Sequence, residues 1–254
     1  MKVSKAIFLC FVVCLLGVAM LAQTGNDSAV TQTNNGKATK SRSVNGIEEF
    51  TSTGTFTVPS GITHILVEMW GAGGGGGGAW RFPTQTYNQT AGAGGGGGAY
   101  TRAVVTVIPG ETYNIVVGVG GSGGTSTYNP GQAPAGVAGG DSEVTDSSSI
   151  VIAHASGGGG GSPFEYNART PGGTVGTADS GTNIVGRNGG DGSDGWPFCG
   201  YCDPAVTPVA GGSAPVGSIS TNGAGKGGAG GWQNYLISKA DGANGSDGYV
   251  LLTW

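Results

Sequence analysis

Residues 63–80 read THILVEMWGAGGGGGGAW, a strand-like run that passes without a break into six consecutive glycines. Residues 91–100, AGAGGGGGAY, nearly repeat the pattern and lead back into another strand-like run. Glycine loses more backbone freedom on folding than any other residue, roughly 0.5–1 kcal/mol relative to alanine at each position. Six in succession are therefore either a disordered linker or a structure that other residues cannot build.

The composition decides in favour of structure. With 56 Gly and 11 Pro in 254 residues the chain sits at the edge of the low-complexity range, and it lacks the strict triplet phasing of collagen. Yet its apolar residues cluster into separate runs and five Trp are present, which a solvated linker would not need. A partly conventional core joined to a glycine-built part is the better model.

The N-terminus has the shape of a secretory signal peptide. Lys2 and Lys5 form a basic head, Ala6 to Met20 an apolar stretch, and Ala22 a small residue before Gln23. Residues 1–22 are read as signal peptide, 23–46 as a flexible polar leader, and 47–254 as one glycine-rich domain. The apolar run is short of the ~20 residues of a spanning helix, Cys10 and Cys14 do not follow a lipoprotein-type small residue, and no later segment could span a bilayer. A secreted, extracellular or cell-surface protein without a membrane span in its mature chain is expected. The net charge of −4 becomes −6 once Lys2 and Lys5 are removed, so a nucleic-acid partner has no electrostatic footprint.

Period-two alternation marks the strands. TFTVPSGITHILVEMW places Phe56 and Val58, then Ile65, Val67 and Met69, on one face around a Pro-Ser-Gly turn. AYTRAVVTVIPGETYNIVVGVGG places Tyr113, Ile115 and Val117 on one side after Pro109-Gly110. DSEVTDSSSIVIAHAS offers another pair and DGYVLLTW a last strand. No stretch has helical periodicity. Glycine tracts at 71–78, 92–98, 118–124, 157–161, 186–195 and 221–231 lie between and after these runs. Their backbone groups need partners if buried. Polyproline II geometry, with three residues per turn and outward N–H and C=O groups, lets glycine rods pair laterally where side chains are absent. The expected fold is all-β: a small, jelly-roll-like β-sandwich with an inserted bundle of polyglycine II helices.

TSTGTFTVPSGITHILVEMWGAGGGGGGA, GAGGGGGAYTRAVVTVIPGETYNIVVGVGG and GANGSDGYVLLTW together resemble the glycine-rich domain of bacterial secreted and bacteriophage tail-fibre proteins. The resemblance spans about residues 50–254 and implies a small β-sandwich carrying polyglycine II helices. The chain is also similar to the polyglycine-bundle adhesins of phage fibre tips, which implies loops between rods as contact sites. It departs from them in carrying a signal peptide, so phage-type host recognition does not carry over directly.

Catalytic motifs are missing from the sequence: no nucleophile elbow, P-loop or HExxH is present, and GAGGGGGGA lacks the Lys and Ser/Thr that hold phosphate and Mg²⁺. His64 and His154 fall within strand patterns and read as packing or surface residues. No enzyme, cofactor or metal is expected. GGDGSDGWP (189–197) matches one calcium-binding nonapeptide, with Asp194 as candidate ligand, but a lone copy cannot stack as that fold requires. WPFCGYCDP holds Cys199 and Cys202; no helix follows to make it a thioredoxin-like motif, no further ligands suit zinc, and an exported context makes a disulfide the expectation.

The aromatics outside the strands carry the functional reading. Trp80, Arg81, Phe82 and Tyr87 separate the first two glycine tracts; Phe164 and Tyr166, Trp196 and Tyr201, and Trp232 and Tyr235 follow later ones. Tyr, Trp and Arg dominate recognition surfaces, though the same rings could equally cap the ends of the bundle. The expected function is a secreted, non-enzymatic, adhesin-like module that binds a glycan or cell-surface protein through these ten residues. The alternatives are a structural subunit of an extracellular filament or matrix, assembled from copies of itself, and an ice-binding protein.

Overall fold

The computed structural model describes residues 31–34, 37–40, 46–80, 89–128, 133–165, 170–179, 184–199, 209–218, 221, 223–233 and 239–254. Residues 1–22, and with them the expected signal peptide, lie outside that set. The chain divides into two compact units, Met1–Asn45 and Gly46–Trp254. In the first, β1 (Thr31–Asn34) pairs antiparallel with β2 (Lys37–Lys40), Asn34 opposite Lys37. This hairpin falls inside the stretch expected to be a flexible leader. Its signal is the dipeptide Asn35-Gly36, the strongest two-residue hairpin connection.

The second unit contains β3 (Ile47–Phe50), β4 (Gly54–Thr57), β5 (His64–Trp70), β6 (Gln89–Ala91), β7 (Tyr100–Thr106), β8 (Thr112–Val116), β9 (Ser142–Thr145), β10 (Val151–Ala155), β11 (Ile184–Arg187), β12 (Trp196–Cys199), β13 (Trp232–Gln233), β14 (Lys239–Ala240) and β15 (Tyr249–Thr253). Among the described residues there is no helix, every strand pairing is antiparallel, and the all-β class expected from the sequence holds. Two sheets, ordered β11-β7-β5-β15-β3 and β10-β9-β8-β4, share one apolar cluster. Ile65, Val67 and Met69 of β5, Ala103 and Val105 of β7, and Val250 and Leu252 of β15 enter it from the first sheet. Phe56, Tyr113, Ile115, Val144, Ala153 and Ala155 enter from the second. The alternation is visible in β7, where Thr101, Ala103 and Val105 are buried while Arg102, Val104 and Thr106 are exposed. Trp254 packs against this cluster with its ring centroid 5.0 Å from that of Phe56 and the two planes tilted by 47°.

The opposite face of the five-stranded sheet carries a second cluster of Trp70, Tyr100, Ala224, Tyr249 and Leu251. Glu68 is buried beside it and accepts hydrogen bonds from the hydroxyls of Tyr100 and Ser218, with Arg102 at 3.9 Å. These partners satisfy a carboxylate that would otherwise be costly to bury. Burial, with the Glu49 carboxylate as hydrogen-bond partner, pushes the Tyr249 hydroxyl up to about 12. Trp70 Nε1 donates to the Pro215 carbonyl at 2.9 Å, so the chain after residue 214 lies over this face.

Ten extended, glycine-rich segments run away from the two sheets or return to them: 71–79, 92–99, 118–127, 134–140, 157–164, 171–177, 189–195, 209–214, 225–231 and 241–248. Their hydrogen bonds repeat every three residues. In the 71–79 segment Gly71, Gly74 and Gly77 donate to Ala99, Gly96 and Ala93; Ala72, Gly75 and Gly78 donate to Gly140, Val137 and Pro134; Gly73 and Gly76 donate to Ser246 and Ala243. Its carbonyls accept in the same rhythm, Gly73, Gly76 and Ala79 from Gly121, Gly124 and Thr127, Ala72, Gly75 and Gly78 from Gly158, Gly161 and Phe164, and Gly74 and Gly77 from Gly228 and Gly231. All these bonds measure 2.8–3.0 Å. The segment therefore has six neighbours, antiparallel to the three it donates to and parallel to the three it accepts from.

The 92–99 segment is surrounded in the same way, by 71–79, 157–164, 171–177, 189–195, 209–214 and 225–231. Both are buried at every position, whereas the outer 157–164 segment is buried only at every third, Gly158, Gly161 and Phe164. That difference explains the composition. The two central segments need glycine almost throughout, and the outer ones need it only on the face turned inward. Among the segment glycines only Gly225 has a left-handed φ, of 73°. What excludes a side chain elsewhere is space: a Cβ on Gly75 would fall on the Ser122 carbonyl and one on Gly95 on the Gly74 carbonyl.

Outward N–H groups at the rim find side-chain acceptors. Gly120, Gly123 and Ser126 donate to Asp247, Asn244 and Asp241 at 2.7, 2.9 and 2.7 Å. Gly172 and Ala178 donate likewise to Asp194 and Asn188, at 3.2 and 3.1 Å. The three-residue spacing of these Asx residues matches the hydrogen-bond repeat of the segment they face.

Candidate functional site

Connectivity fixes where the expected site residues belong. The 71–79, 118–127, 157–164, 189–195 and 225–231 segments lead away from the sheets, and the next segment in the chain returns antiparallel each time. Five connections, within 80–91, 128–133, 165–170, 196–208 and 232–240, thus leave the same end of the bundle. All ten aromatic and Arg candidates lie in these connections or, for Phe164, one residue before.

Two of the ten form the floor of that end. Trp80 is 7% exposed and Phe164 1%, and their rings meet edge to face with centroids 5.3 Å apart, in a cluster with Ala79 and Ala133. Trp80 Nε1 donates to the Phe164 carbonyl at 2.8 Å, the Trp80 carbonyl accepts from Thr90 Oγ1 at 2.9 Å, and Trp80 bridges Thr127 in parallel register. This is the geometry of a cap: the rings close the ends of the 71–79 and 157–164 segments and turn no face outward for a ligand. A side chain that continues a polyglycine segment is free to enlarge as soon as its neighbours stop, and Trp80 does so one residue after Ala79.

Above the cap the connections pair into a small sheet of order β12-β6-β13-β14. Trp196 and Trp232 occupy register positions on either side of Ala91. Trp232 is half-buried, and the side chain of Trp196 lies outside the description. Gln233 and Thr170 are fully buried, and Gln233's two amide atoms and the Thr170 hydroxyl have no hydrogen-bond partner. Tyr128, in the connection at 128–133, is 40% exposed; the Lys239 ammonium stands 5.9 Å from its ring centroid while donating to the Ser126 carbonyl. Tyr128 and Lys239 are absent from the sequence-derived set, although Tyr128 follows a glycine tract as the selected aromatics do. The half-open Tyr128 ring and the Lys239 ammonium beside it can stack on and hydrogen-bond a polar ligand.

Arg81, Phe82, Tyr87, Tyr166, Tyr201, Tyr235 and Cys202 lie outside the described residues, as does the side chain of Cys199, so the expected disulfide falls there too. Asp194, the calcium candidate, accepts the Gly172 N–H with Oδ1 at 3.2 Å. His64 is exposed beside Thr63, whose hydroxyl lies 3.0 Å from Nδ1.

No curated protein matches the chain. A family model described as a glycine-rich domain matches residues 50–254, most of the second unit, with its strands, its ten segments and their connections. The chain belongs to the glycine-rich domain family.

Proposed function

We propose that the protein is a secreted, non-enzymatic binding module in which a jelly-roll-like β-sandwich anchors a bundle of polyglycine II helices, and the bundle holds recognition loops at its far end. Three-residue hydrogen-bond repeats and six neighbours around each central segment support the polyglycine II reading. One apolar cluster shared by two antiparallel sheets supports the sandwich. The observation that carries the function is the convergence of five aromatic-bearing connections at one end of a rigid scaffold, the arrangement in which loops bear recognition. The ligand class is a glycan or protein of a cell surface, engaged by Arg81, Phe82, Tyr87, Tyr166, Trp196, Tyr201, Trp232 and Tyr235, with Trp80 and Phe164 as the cap.

Glycan and cell-surface arrays probed with the mature chain test this. Specific binding that falls at least tenfold in the Phe82→Ser/Tyr87→Ser double variant, with unchanged melting, supports it; binding that persists at wild-type strength in that variant removes these loops from the site. A structural role in a filament is favoured by a different feature, the exposed row of Ile47 and Val104 on the outer face of the five-stranded sheet. Electron micrographs of purified protein showing polymers would establish that role instead.

A further inference from the structure

We infer that two copies of this chain pair about a two-fold axis through the outer face of the five-stranded sheet, with both loop ends pointing the same way. The two outer sheet faces differ in chemistry. That of the four-stranded sheet is polar, with Thr55, Thr57, Thr112 and Asn114 exposed along β4 and β8, as suits a face turned to water. On the five-stranded sheet the half nearer the bundle is covered by the cluster around Trp70, and the half farther from it is open. There Val104, Leu66, Thr253 and Ile47 stand in one register row across β7, β5, β15 and β3. Ile47 is 68% exposed and Val104 51%, with Val185 of β11 beside them at 51%. Contiguous exposed apolar surface of this kind marks a contact face.

Charge decides what covers it. Arg102 of β7 is half open, although buried Glu68 lies 3.9 Å away, and Arg187 is exposed on β11. At the other edge β3 exposes Glu48 and Glu49, and Glu49 lies in the same register row as Arg102. One edge of the face is therefore basic and the other acidic, so the face is complementary to a second copy of itself. An axis along the strands, over β5, lays β7 and β11 of one copy on β15 and β3 of the other. Arg102 then approaches the partner's Glu49, and Leu66 meets the partner's Leu66. An axis across the strands would set Arg102 on Arg102 and Glu49 on Glu49, like charges that oppose docking.

Pairing of this kind uses the same patch on both copies, so it closes at two and does not grow into a filament. Adjacent carboxylates on β3 also disfavour growth by edge-to-edge strand addition, where they would face their own copies. Because the axis runs along the strands, and the strands lead into the glycine segments, both bundles extend to the same side of the pair. Two loop ends then face one surface, and engaging both would strengthen attachment by about 100-fold or more over a single end. That consequence rests on the loop-end recognition proposed above; the pairing itself does not.

Sedimentation velocity and light scattering on the full chain, across a concentration series, test the pairing. A species of twice the monomer mass is expected, weakened by added salt and by roughly tenfold or more in Val104→Asp and in Ile47→Asp. Both positions are exposed, so the two variants should melt as the wild-type monomer does. In a Cys199→Ser/Cys202→Ser background a short bismaleimide should link two copies of Leu66→Cys, and should not link Thr55→Cys on the polar face. A monomer at every concentration, an open polymer, dimers indifferent to Val104→Asp, or dimers that Leu66→Cys fails to link would each overturn the inference. Dimerisation is read without any ligand, so its failure is separate from a failure of loop-end recognition.

Discussion

The protein has two interiors that obey opposite rules. Between the sheets, Ile65, Val67, Ile115, Val144 and Leu252 exclude water by filling volume, and every methyl group contributes. Between the glycine segments the interior is backbone, and order comes from N–H and C=O groups meeting at 2.7–3.3 Å on all sides. One core is specified by which side chains are present, the other by their absence. The same physical demands, close packing and satisfied polar groups, thus produce a strand alternation in one region and a glycine run a few residues later.

The sharpest break between the two is a single added methyl. Gly75→Ala places a Cβ on the Ser122 carbonyl, where rigid backbone cannot turn aside as a side chain would. A loss of about 3 kcal/mol, near the upper end of overpacking effects, and a midpoint lowered by roughly 6–12 °C are expected in thermal melts. Removing one methyl from the other core should matter less: Ile115→Val is expected to cost about 1 kcal/mol in denaturant titrations. A reversed order would show that the glycine segments yield more easily than the sheets.

At the rim the bundle depends on side chains after all. Asn244→Ala removes the acceptor of the Gly123 N–H, but water reaches that face, so a loss of about 0.5–1 kcal/mol is expected by equilibrium unfolding. Ser122 points outward between inward-facing Gly121 and Gly124, and Ser122→Val should change stability by no more than about 0.5 kcal/mol. The outward face of the segment thus accepts valine where its inward face, at Gly121 and Gly124, has no room for a Cβ.

The sheet end also has an alkaline limit. Because burial raises the folded-state Tyr249 hydroxyl to about 12, above its ordinary value of 10.0, the neutral form is bound more strongly by the folded chain. Its contribution is fully present below pH 10 and is lost as pH rises toward 12. In pH-dependent melts Tyr249→Phe should decline less steeply over that range; an identical decline would place the alkaline sensitivity elsewhere.

Much of the sheet core was legible in the sequence because each strand carries its own alternation. β4, β5, β7, β8, β9, β10 and β15 lie where TFTV, HILVEMW, AVVTV, TYNIV, SEVT, VIAHA and YVLLT place them. β6, β12, β13 and β14 carry no such signal, since two to four residues become strands only through the partners that the bundle brings beside them. The central glycine segments announce themselves as runs. The outer ones at 134–140, 171–177 and 241–248 do not, because one covered face requires glycine only at every third residue, as at Gly242, Gly245 and Gly248. In GGDGSDGWP the same spacing puts Gly189, Gly192 and Gly195 on the inward face, with Asp194 as an acceptor for a neighbouring backbone N–H. At the loop end the described aromatics differ in depth, which the sequence does not show. Trp80 and Tyr128 each follow a glycine segment, and only the neighbouring chain ends decide that one is covered and the other half open.

Amide hydrogen exchange tests the backbone-built interior most directly, read peptide by peptide or by glycine-selective labelling. The N–H groups of Gly73 to Gly78 and Gly94 to Gly98 should be protected as strongly as those of β5 and β7, with exchange limited by global unfolding. Exchange of these glycines at the rate of an unstructured chain, while β5 and β7 remain protected, would contradict the bundle.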